Sequence, residues 1–288
     1  MMFSRSSVIS AVIPFRVMPG NTRPLRRLRR VLRQMPEGVT PLVVDDTADA
    51  GLRKRVAATV AGVARARHVR HPESAHCTFS IGRLRDVGTA AAPDRFVLFH
   101  DVDFTAPPEM YRALAAFVQQ PAVLDDPSNS LCIPVFFLTR KGTRRYRAFP
   151  RWTWRRLLRG QGRGGVDRLV RGSSAILAHR ETLLAEGGHD PAFTGHGAED
   201  FELLHRLAKR HPRGARPANY HVDHGSRSQR GDGFRAYFAR YGQPPLDAGL
   251  ALVHLWHPKR TDDPRYYNQQ RANFALLSAR LQEAGDRA

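Results

Sequence analysis

The sequence predicts an α/β protein built on a mixed, mostly parallel sheet and folded as a single domain, residues 1–288. Apolar runs of strand length alternate with amphipathic segments of helix length, which is the order of βαβ units. Several runs end in acids or in Pro/Gly-rich turns, and no repeat or low-complexity linker divides the chain. In such a sheet, ligands bind at the carboxyl ends of the strands.

The first half of the chain shows the clearest alternation. Its strands are rich in β-branched and aromatic residues, and its first helix carries Leu and Val on one face and arginines on the other. Asp45 and Asp46 close the second strand. The predicted strands are 8–15, 41–44 and 96–99, and the predicted helices are 24–35, 51–64 and 108–119.

The second half departs from this alternation. Segment 140–172 carries 12 Lys and Arg against the single acid Asp167, with aromatic residues interleaved. This composition predicts a loop-rich basic insert, which either grips an anionic or glycan partner or is a solvated surface loop. The other predicted elements are strands 131–138 and 173–177, helices 180–186 and 199–209, and a terminal helix at 267–281 within the C-terminal segment 261–288.

Charge and cysteine content limit the class of protein. The 46 Lys and Arg exceed the 26 Asp and Glu, and the net charge of +20 indicates an anionic partner: nucleic acid, an acidic membrane face or an acidic polymer. Cys77 and Cys132 are too few for a disulfide framework or a cysteine zinc site, so a reducing compartment is expected. The apolar run 8–15 is broken by Pro14 and is too short to cross a bilayer, which predicts a cytoplasmic protein with at most peripheral contact with the inner face of the membrane.

The segment FVLFHDVDF at 96–104 places two acids after a buried strand. Because alternate residues of an extended segment point to one side, Asp101 and Asp103 face the same way. Carboxylate oxygens there suit Mg²⁺ or Mn²⁺ and the sugar of a nucleotide. A D-x-D triplet alone also occurs in solvated loops, and its position at a strand end is what favours the metal site.

The segment HLWH at 254–257 offers two imidazoles three residues apart. His254 and His257 either converge on one ion or are surface or stacked histidines beside Trp256. Combined with the aspartates, they favour Mn²⁺ over Mg²⁺, because imidazole is the softer ligand.

The segment GHGAED at 195–200 puts two acids at the start of a predicted helix. Gly195 and Gly197 permit a tight turn and close approach of a substrate. Glu199 and Asp200 are then either an acidic first turn stabilised by the helix dipole or a general base beside an acceptor hydroxyl.

Five stretches of the chain can be compared together. They are VIPFR at 12–16, FSIGRLRDVG at 79–88, DVDF at 101–104, GHGAED at 195–200 and HLWH at 254–257. In this order they resemble the motifs of the β-1,4-galactosyltransferase and chondroitin-type N-acetylgalactosaminyltransferase group, which has the GT-A fold. The resemblance spans residues 8–257. It implies a nucleotide-sugar-binding half at 8–105 and an acceptor-binding half at 106–260.

The resemblance implies which residues bind the donor, a UDP-sugar. Pro14, Phe15 and Arg16 would form the wall for the uracil and the diphosphate. Asp101 would approach the ribose. The full set of implied donor-binding residues is Pro14, Phe15, Arg16, Asp45, Arg83 and Asp101.

The resemblance also implies the metal ligands and the catalytic acids. Asp103 would bind Mn²⁺, with Mg²⁺ as the alternative, and His257 and His254 would be further ligands. Asp200 would deprotonate the acceptor hydroxyl while Glu199 holds the acceptor, and the anomeric carbon would be inverted. The residues expected to contact the acceptor are His196, Gly197, Trp152 and Trp154.

The chain departs from this group at four positions. Ser80 and Ile81 replace the Asn and Arg of the group, and Thr194 and His196 stand where the group has tryptophans. The animal enzymes carry a membrane anchor and disulfides, neither of which is visible in this sequence. The resemblance therefore implies a bacterial relative that builds capsule or other surface polysaccharide.

The sequence as a whole predicts a metal-dependent inverting glycosyltransferase. It would move a hexose or N-acetylhexosamine from a UDP-sugar to a hydroxyl of a glycan or lipid-linked glycan, with an anionic acceptor favoured by the charge of the protein. Two alternatives are a basic nucleic-acid-binding protein, suggested by the +20 charge and the aromatic residues among the arginines, and a metal-dependent nucleotidyltransferase, which would release pyrophosphate. Neither accounts for the motifs in this order, so nucleic acid is not favoured.

Overall fold

The computed structural model describes residues 7–71, 79–121, 123, 125–172, 174–227, 231–258 and 267–285. Cys77 lies outside the described residues, and Cys132 is a buried free thiol. None of the helices in the described part combines the length and the apolar character that crossing a bilayer requires.

The bounds of the elements follow the predicted alternation in the first half of the chain. The strands are β1 (Ile9–Phe15), β2 (Val39–Asp45), β3 (Arg67–Arg70), β4 (Phe96–Phe99), β5 (Phe104–Thr105), β6 (Ser130–Cys132), β7 (Val135–Leu138), β8 (Val166–Val170), β9 (Ile176–His179) and β10 (Leu252–His254). The α-helices are α1 (Arg23–Gln34), α2 (Ala50–Ala61), α3 (Ile81–Ala91), α4 (Pro108–Phe117), α5 (Arg140–Ala148), α6 (Pro150–Leu158), α7 (Arg180–Ala185), α8 (Glu199–Arg210), α9 (Gly233–Ala239), α10 (Gln243–Asp247) and α11 (Gln270–Gly285).

Six strands form the main sheet, in the order β3-β2-β1-β4-β9-β6. β1 pairs in parallel with β2 and with β4, and β2 pairs in parallel with β3, whereas β9 runs antiparallel to both β4 and β6. A smaller mixed sheet has the order β5-β10-β7-β8. The predicted fold class is therefore confirmed. Because Phe15 pairs with Asp45 and Val12 with Phe99, β1, β2 and β4 end at the same edge.

The main sheet lies between two layers of helices because its central strand is apolar on both faces. All seven residues of β1 are buried. Ile13 and Phe15 pack into a cluster with the apolar faces of α1, α2 and α4. Val12 points to the other side, where it packs into a cluster with α3, α8 and α9. The strand ends are thus held between the two layers.

The predicted strand 131–138 is wrong in one respect, because it consists of two strands in different sheets. β6 joins the main sheet and β7 joins the smaller one, and Pro134 lies between them. The backbone changes its partner at this point: the N–H of Ile133 donates to the carbonyl oxygen of Ala175, just before β9, whereas the carbonyl oxygen of Pro134 accepts from the N–H of Leu252 in β10. The predicted strand 173–177 begins later, as β9.

The predicted loop-rich insert at 140–172 is also wrong, because the segment forms α5, α6 and β8. The hydroxyl of Thr139 accepts a hydrogen bond from the N–H of Gly142 and caps α5, and Pro150 begins α6. Tyr146 and Trp154 anchor the two helices in the core. Arginine is a good helix former, so a high arginine content did not require a loop.

Gly88 of α3 allows this helix to lie close to the sheet. A Cβ atom on Gly88 would stand 2.3 Å from Cγ1 of Val12 and 3.0 Å from Cγ2 of Val44. Both valines are completely buried, so neither has room to move aside. The close approach also brings Arg85, one turn earlier on α3, under the ends of the strands.

We expect Gly88→Ala to lower the free energy of unfolding by about 1–3 kcal/mol, because the added methyl group overpacks the contact between α3 and the sheet. Gly62→Ala is the matched control: Gly62 ends α2 with a φ of −68°, and a Cβ there would meet only ordinary contacts. Its effect should stay within about 0.5 kcal/mol. Urea unfolding measures both values, and equal stabilities of the two variants would contradict the close packing of α3.

Candidate active site

A cavity of about 1030 Å³ opens at the edge where β1 and β4 end. Its volume is at the upper end for sites that enclose a small-molecule ligand. The main sheet, the smaller sheet and the first turn of α8 all contribute to it. The motif residues that line it include Pro14, Arg16, Asp101, Asp103, His196, Gly197, Glu199, Asp200, His254 and His257.

Asp103, His254 and His257 form a cluster in this cavity. One ligand atom from each residue lies within 4.8 Å of the other two, and no second cluster of this kind occurs among the described residues. The segments meet because β5 pairs antiparallel with β10, with His254 opposite Phe104. One carboxylate and two imidazoles are a donor set that suits Mn²⁺ better than Mg²⁺.

The tautomer of His257 fits a metal ligand. Its Nδ1 lies 2.8 Å from the carbonyl oxygen of Pro258, which only accepts, so Nδ1 carries a proton. Its Nε2 is buried without a hydrogen bond of ordinary geometry and faces Oδ2 of Asp103 at 3.0 Å. A carboxylate oxygen and an imidazole nitrogen at this distance need a shared cation, either a proton or a metal ion. The residues present therefore fit a divalent ion.

The protonation states of the cluster also suit a metal ion. Burial would raise the pKa of Asp103, but the contact with His257 and the charges of His257 and Arg27 outweigh it and lower this pKa to about 2. The guanidinium of Arg27 pairs with the second oxygen of this carboxylate. Burial lowers the pKa of His254 to about 4, although the charge of Asp103 opposes this shift. At neutral pH the carboxylate is ionised and His254 is neutral, as metal binding requires.

Arg85 is a buried cation that lies between Asp101 and Glu199. The sequence did not predict a role for it. Its side chain is completely buried, and Nη2 donates a hydrogen bond of 3.0 Å to Oδ1 of Asp101. Nη1 lies 3.9 Å from Oε1 of Glu199, and the guanidinium stands over the ring of Phe99. Burial would lower the pKa of Arg85, but the charges of Asp101, Glu199 and Asp200 outweigh it and raise this pKa. Arg85 therefore stays charged beneath the site.

Glu199 and Asp200 differ in their surroundings although they are neighbours on α8. Both are more than nine-tenths buried. Burial and the charge of Asp200 raise the pKa of Glu199 to about 8, and Arg85 only partly offsets this. Asp200 accepts a hydrogen bond of 3.1 Å from the N–H of Phe201. Near neutral pH Glu199 is thus a neutral acid that can donate a hydrogen bond.

The turn before α8 is held in an unusual backbone conformation. Gly195, Gly197 and Ala198 all have positive φ angles, and Ala198 is the only residue other than glycine with such an angle among the described residues. The left-handed conformation costs a non-glycine residue about 1–2 kcal/mol. Asn273 of α11 holds the turn, because its Nδ2 donates to the carbonyl oxygens of Thr194 (2.8 Å) and His196 (3.3 Å). The strained turn sets the direction in which Glu199 and Asp200 enter the cavity.

The described part of the cavity wall carries more positive than negative charge. Seven arginines and four acids of the described residues line it, so an anionic ligand is favoured there. Arg16 lies at its edge, pairs with Asp46 and stands over the ring of Phe79. The arginines are Arg16, Arg23, Arg26, Arg27, Arg85, Arg168 and Arg235.

The residues expected at the donor are only partly brought together. Pro14, Arg16 and Asp101 line the cavity. Phe15 points away from it into the core between the sheet and α1, since successive strand residues face opposite sides. Asp45 is buried behind the edge, where it accepts hydrogen bonds from the N–H of Thr47 and from His68, and Arg83 is exposed on α3.

The residues expected at the acceptor divide in the same way. His196 and Gly197 line the cavity, with the ring of His196 5.2 Å from that of Tyr267. Trp154 is buried in the core and donates a hydrogen bond of 2.9 Å to the carbonyl of Ala251, which corrects its assignment as an acceptor contact. Trp152 is exposed on α6 and is not part of the cavity lining.

Comparison with known proteins gives a family match over nearly the whole chain. Residues 10–281 match the model of the family described as glycosyltransferase like family 2. No curated protein matches the sequence. Among solved structures, glucosyl-3-phosphoglycerate synthase from Mycobacterium tuberculosis in complex with phosphoglyceric acid is similar, with 19% identity, a TM-score of 0.47 and coverage of 95% of this chain and 80% of that one.

Two further solved structures are similar over part of their length. A mannosyltransferase from Pyrobaculum calidifontis in complex with GDP-Man and Mn²⁺ is 15% identical, with a TM-score of 0.43 and coverage of 70% of this chain and 52% of that one. TarS from S. aureus, residues 1–349, is 15% identical, with a TM-score of 0.41 and coverage of 64% and 50%. The chain spans about half the length of these two proteins.

The matched range contains the main sheet, apart from Ile9, and the residues that line the cavity. The mixed, mostly parallel sheet and the cavity at its strand ends are what a GT-A domain requires, and the match includes every residue that lines the cavity. The chain belongs to the glycosyltransferase-like family 2, and its fold is that of a GT-A domain.

Proposed function

We propose that this enzyme is a metal-dependent inverting glycosyltransferase that moves a hexose or N-acetylhexosamine from a UDP-sugar to a hydroxyl of a glycan acceptor. The observation that carries the proposal is the meeting of two different acidic groups in one arginine-lined cavity. Asp103 and its two histidines form the cluster that would hold a cation. Glu199 and Asp200 form a separate buried acid pair.

On the donor side, Asp103, His254 and His257 would hold Mn²⁺, with Mg²⁺ as the alternative. The bound ion would neutralise charge that develops on the diphosphate as it leaves. Arg16 and Arg27 add fixed positive charge along the same wall of the cavity. Asp101, fixed by its hydrogen bond from Arg85, would accept a hydrogen bond from the ribose.

On the acceptor side, Asp200 would act as the general base and Glu199 would orient the acceptor. The acceptor oxygen forms a bond to the anomeric carbon, its proton passes to the carboxylate of Asp200, and the bond between that carbon and the UDP oxygen breaks. Attack from the face opposite the leaving group inverts the anomeric configuration. Glu199, which is protonated near neutral pH, donates a hydrogen bond to a second oxygen of the acceptor.

The resemblance of the motifs to one group of glycosyltransferases supports a UDP-sugar and a surface polysaccharide as substrates. VIPFR, DVDF, GHGAED and HLWH follow the order of motifs in the β-1,4-galactosyltransferase and chondroitin N-acetylgalactosaminyltransferase group. The positive walls of the cavity favour an anionic or lipid-linked glycan as acceptor. A capsule-type polysaccharide is the acceptor class we propose.

Loss of the cation site should abolish metal-dependent nucleotide binding. For Asp103→Ala and His257→Ala we expect UDP affinity in the presence of Mn²⁺ to fall by at least about tenfold, to the level of the wild type in EDTA. Isothermal titration calorimetry measures this. His211→Ala, which removes a half-buried histidine paired with Asp126 outside the cavity lining, is the control and should bind UDP normally. Binding of UDP that is equal with Mn²⁺ and with EDTA would reject the metal site.

Asp200→Asn should separate chemistry from donor binding. We expect turnover to fall by about 10²–10⁴-fold, because the amide cannot take the hydroxyl proton, while UDP affinity stays unchanged. Transfer from a radiolabelled UDP-sugar and calorimetry measure the two quantities. Turnover close to that of the wild type would exclude Asp200 as the base. Release of pyrophosphate instead of UDP would identify a nucleotidyltransferase.

Glu199 should make stability fall as the pH rises. Its pKa in the folded protein, about 8, exceeds the ordinary value of 4.5, so the folded state holds the proton more tightly than the unfolded state does. This stabilisation is complete below pH 4.5 and is lost as the pH rises through 8. We expect Glu199→Gln to gain stability relative to the wild type between about pH 5 and about pH 8 in urea unfolding.

The control for this measurement is Glu181→Gln, which changes an exposed glutamate on α7. Its stability should follow that of the wild type in parallel across the same pH range. A difference in the free energy of unfolding between Glu199→Gln and the wild type that does not change with pH would show that Glu199 is ionised in the folded protein.

A further inference from the structure

The exposed faces of α5 and α6 carry a pair of aromatic side chains that the proposed reaction does not use. Phe149 is 62% exposed and Trp152 is 50% exposed, and their ring centroids lie 6.4 Å apart. Single exposed apolar residues are normal on a protein surface. Two large aromatic rings in contact form one small apolar patch, and a patch of this kind bordered by charged residues is a candidate interaction site.

Cations surround this aromatic pair. With 100° of rotation per residue, the exposed side chains of α6, Arg151, Arg155 and Trp152, fall within an arc of about 100°, and the half-buried Arg156 lies about 40° beyond Trp152. The opposite side of the helix is buried against the core. We name the exposed surface the α5–α6 face and define it by Arg144, Arg145, Phe149, Arg151, Trp152 and Arg155.

The charge of the α5–α6 face is nearly unopposed. The sequence has no acid between Arg140 and Val166. An acid from another element does reach the edge of the face, because Glu109 pairs with Arg151 at 3.2 Å. The guanidinium of Arg156 stacks over the ring of Trp152 at 4.8 Å, so aromatic and cationic groups form one surface.

The α5–α6 face continues towards the cavity. Arg140, the first residue of α5, stands 4.0 Å over the ring of Trp256, which precedes the metal-site residue His257. Arg147 of α5 lies near Arg30 of α1. Burial, followed by the charge of Arg147, lowers the pKa of Arg30. Several arginines of α1 line the cavity. Cations of α5 and α1 therefore lie between the aromatic pair and the active site.

We propose that the α5–α6 face binds an anionic lipid bilayer, with Phe149 and Trp152 inserted at the level of the headgroups and the arginines paired with lipid phosphates. Aromatic rings flanked by Lys and Arg are the combination that prefers the membrane interface. Binders of single-stranded nucleic acid hold bases against aromatic rings inside a groove, whereas this pair projects from exposed helix faces. If the proposed function holds, a lipid-linked acceptor reaches the cavity without leaving the bilayer.

Sedimentation of the full chain with lipid vesicles tests the proposal. We expect binding to vesicles that contain phosphatidylglycerol and little binding to pure phosphatidylcholine. Phe149→Ser/Trp152→Ser and Arg144→Glu/Arg155→Glu should each weaken binding to the anionic vesicles by roughly tenfold or more. UDP binding should be unchanged in both, because neither pair belongs to the cavity lining.

Two control variants show whether vesicle binding depends on the α5–α6 face or on exposed charge and apolar surface elsewhere on the protein. Lys54→Glu/Arg55→Glu reverses two exposed charges on α2, and Leu184→Ser removes an exposed apolar side chain from α7. Both should bind vesicles as the wild type does. Equal losses in the controls and in the α5–α6 variants, or no binding to anionic vesicles, would overturn the proposal.

A second measurement does not depend on the folding of a double variant. Brominated phospholipids should quench the fluorescence of the wild type, and the conservative variant Trp152→Phe should lose most of this quenching. Quenching that persists in Trp152→Phe would overturn the proposed insertion. Binding to a single-stranded RNA oligomer that depends on the same residues and is tighter than binding to vesicles would overturn it in favour of a nucleic-acid surface. The vesicle experiments contain no sugar donor, so their result is independent of the proposed transfer reaction.

Discussion

The site depends on the buried guanidinium of Arg85. A guanidinium taken out of water is tolerated only where carboxylates and hydrogen-bond acceptors surround it. Asp101 comes from the end of β4 and Glu199 from the start of α8, so Arg85 requires the two segments to meet. The missing side chain of Gly88 lets α3 carry Arg85 to this position. Removing one partner of such a buried ion pair lowers the free energy of unfolding by about 3–5 kcal/mol. The contacts of Arg85 therefore both stabilise the fold and position the acids of the site.

One cavity keeps two carboxyl groups in opposite states. Asp103 faces Arg27 and two histidines, and its pKa falls to about 2. Glu199 is buried beside Asp200, and its pKa rises to about 8 in spite of Arg85. The difference follows from the charge each group faces, because the side chains themselves are chemically alike. An ionised carboxylate and a carboxylic acid that can donate a hydrogen bond are thereby available at the same pH.

The sequence predicted the parts of the site that follow strand ends, since apolar runs closed by acids are visible without a fold. It did not predict Arg85, because an arginine inside a helix usually faces solvent, and its burial depends on a loop more than a hundred residues later. Trp152 and Trp154 illustrate a different error. Once 150–158 is known to be a helix, Trp154 shares a buried face with Leu157, whereas Trp152 lies on the opposite face. The change of sheet between β6 and β7 could not be predicted from Pro134, because Pro14 and Pro41 lie inside uninterrupted strands of the main sheet.

The contact of Asn273 with the turn at Thr194 and His196 has a consequence for how the enzyme is made. The turn contains three left-handed residues, one of them Ala198, and it relies on hydrogen bonds from a helix that follows it by more than seventy residues. A nascent chain that has exposed only the first half of α8 has the acids but lacks this clamp. The acid pair therefore reaches its final position only after α11 has left the ribosome.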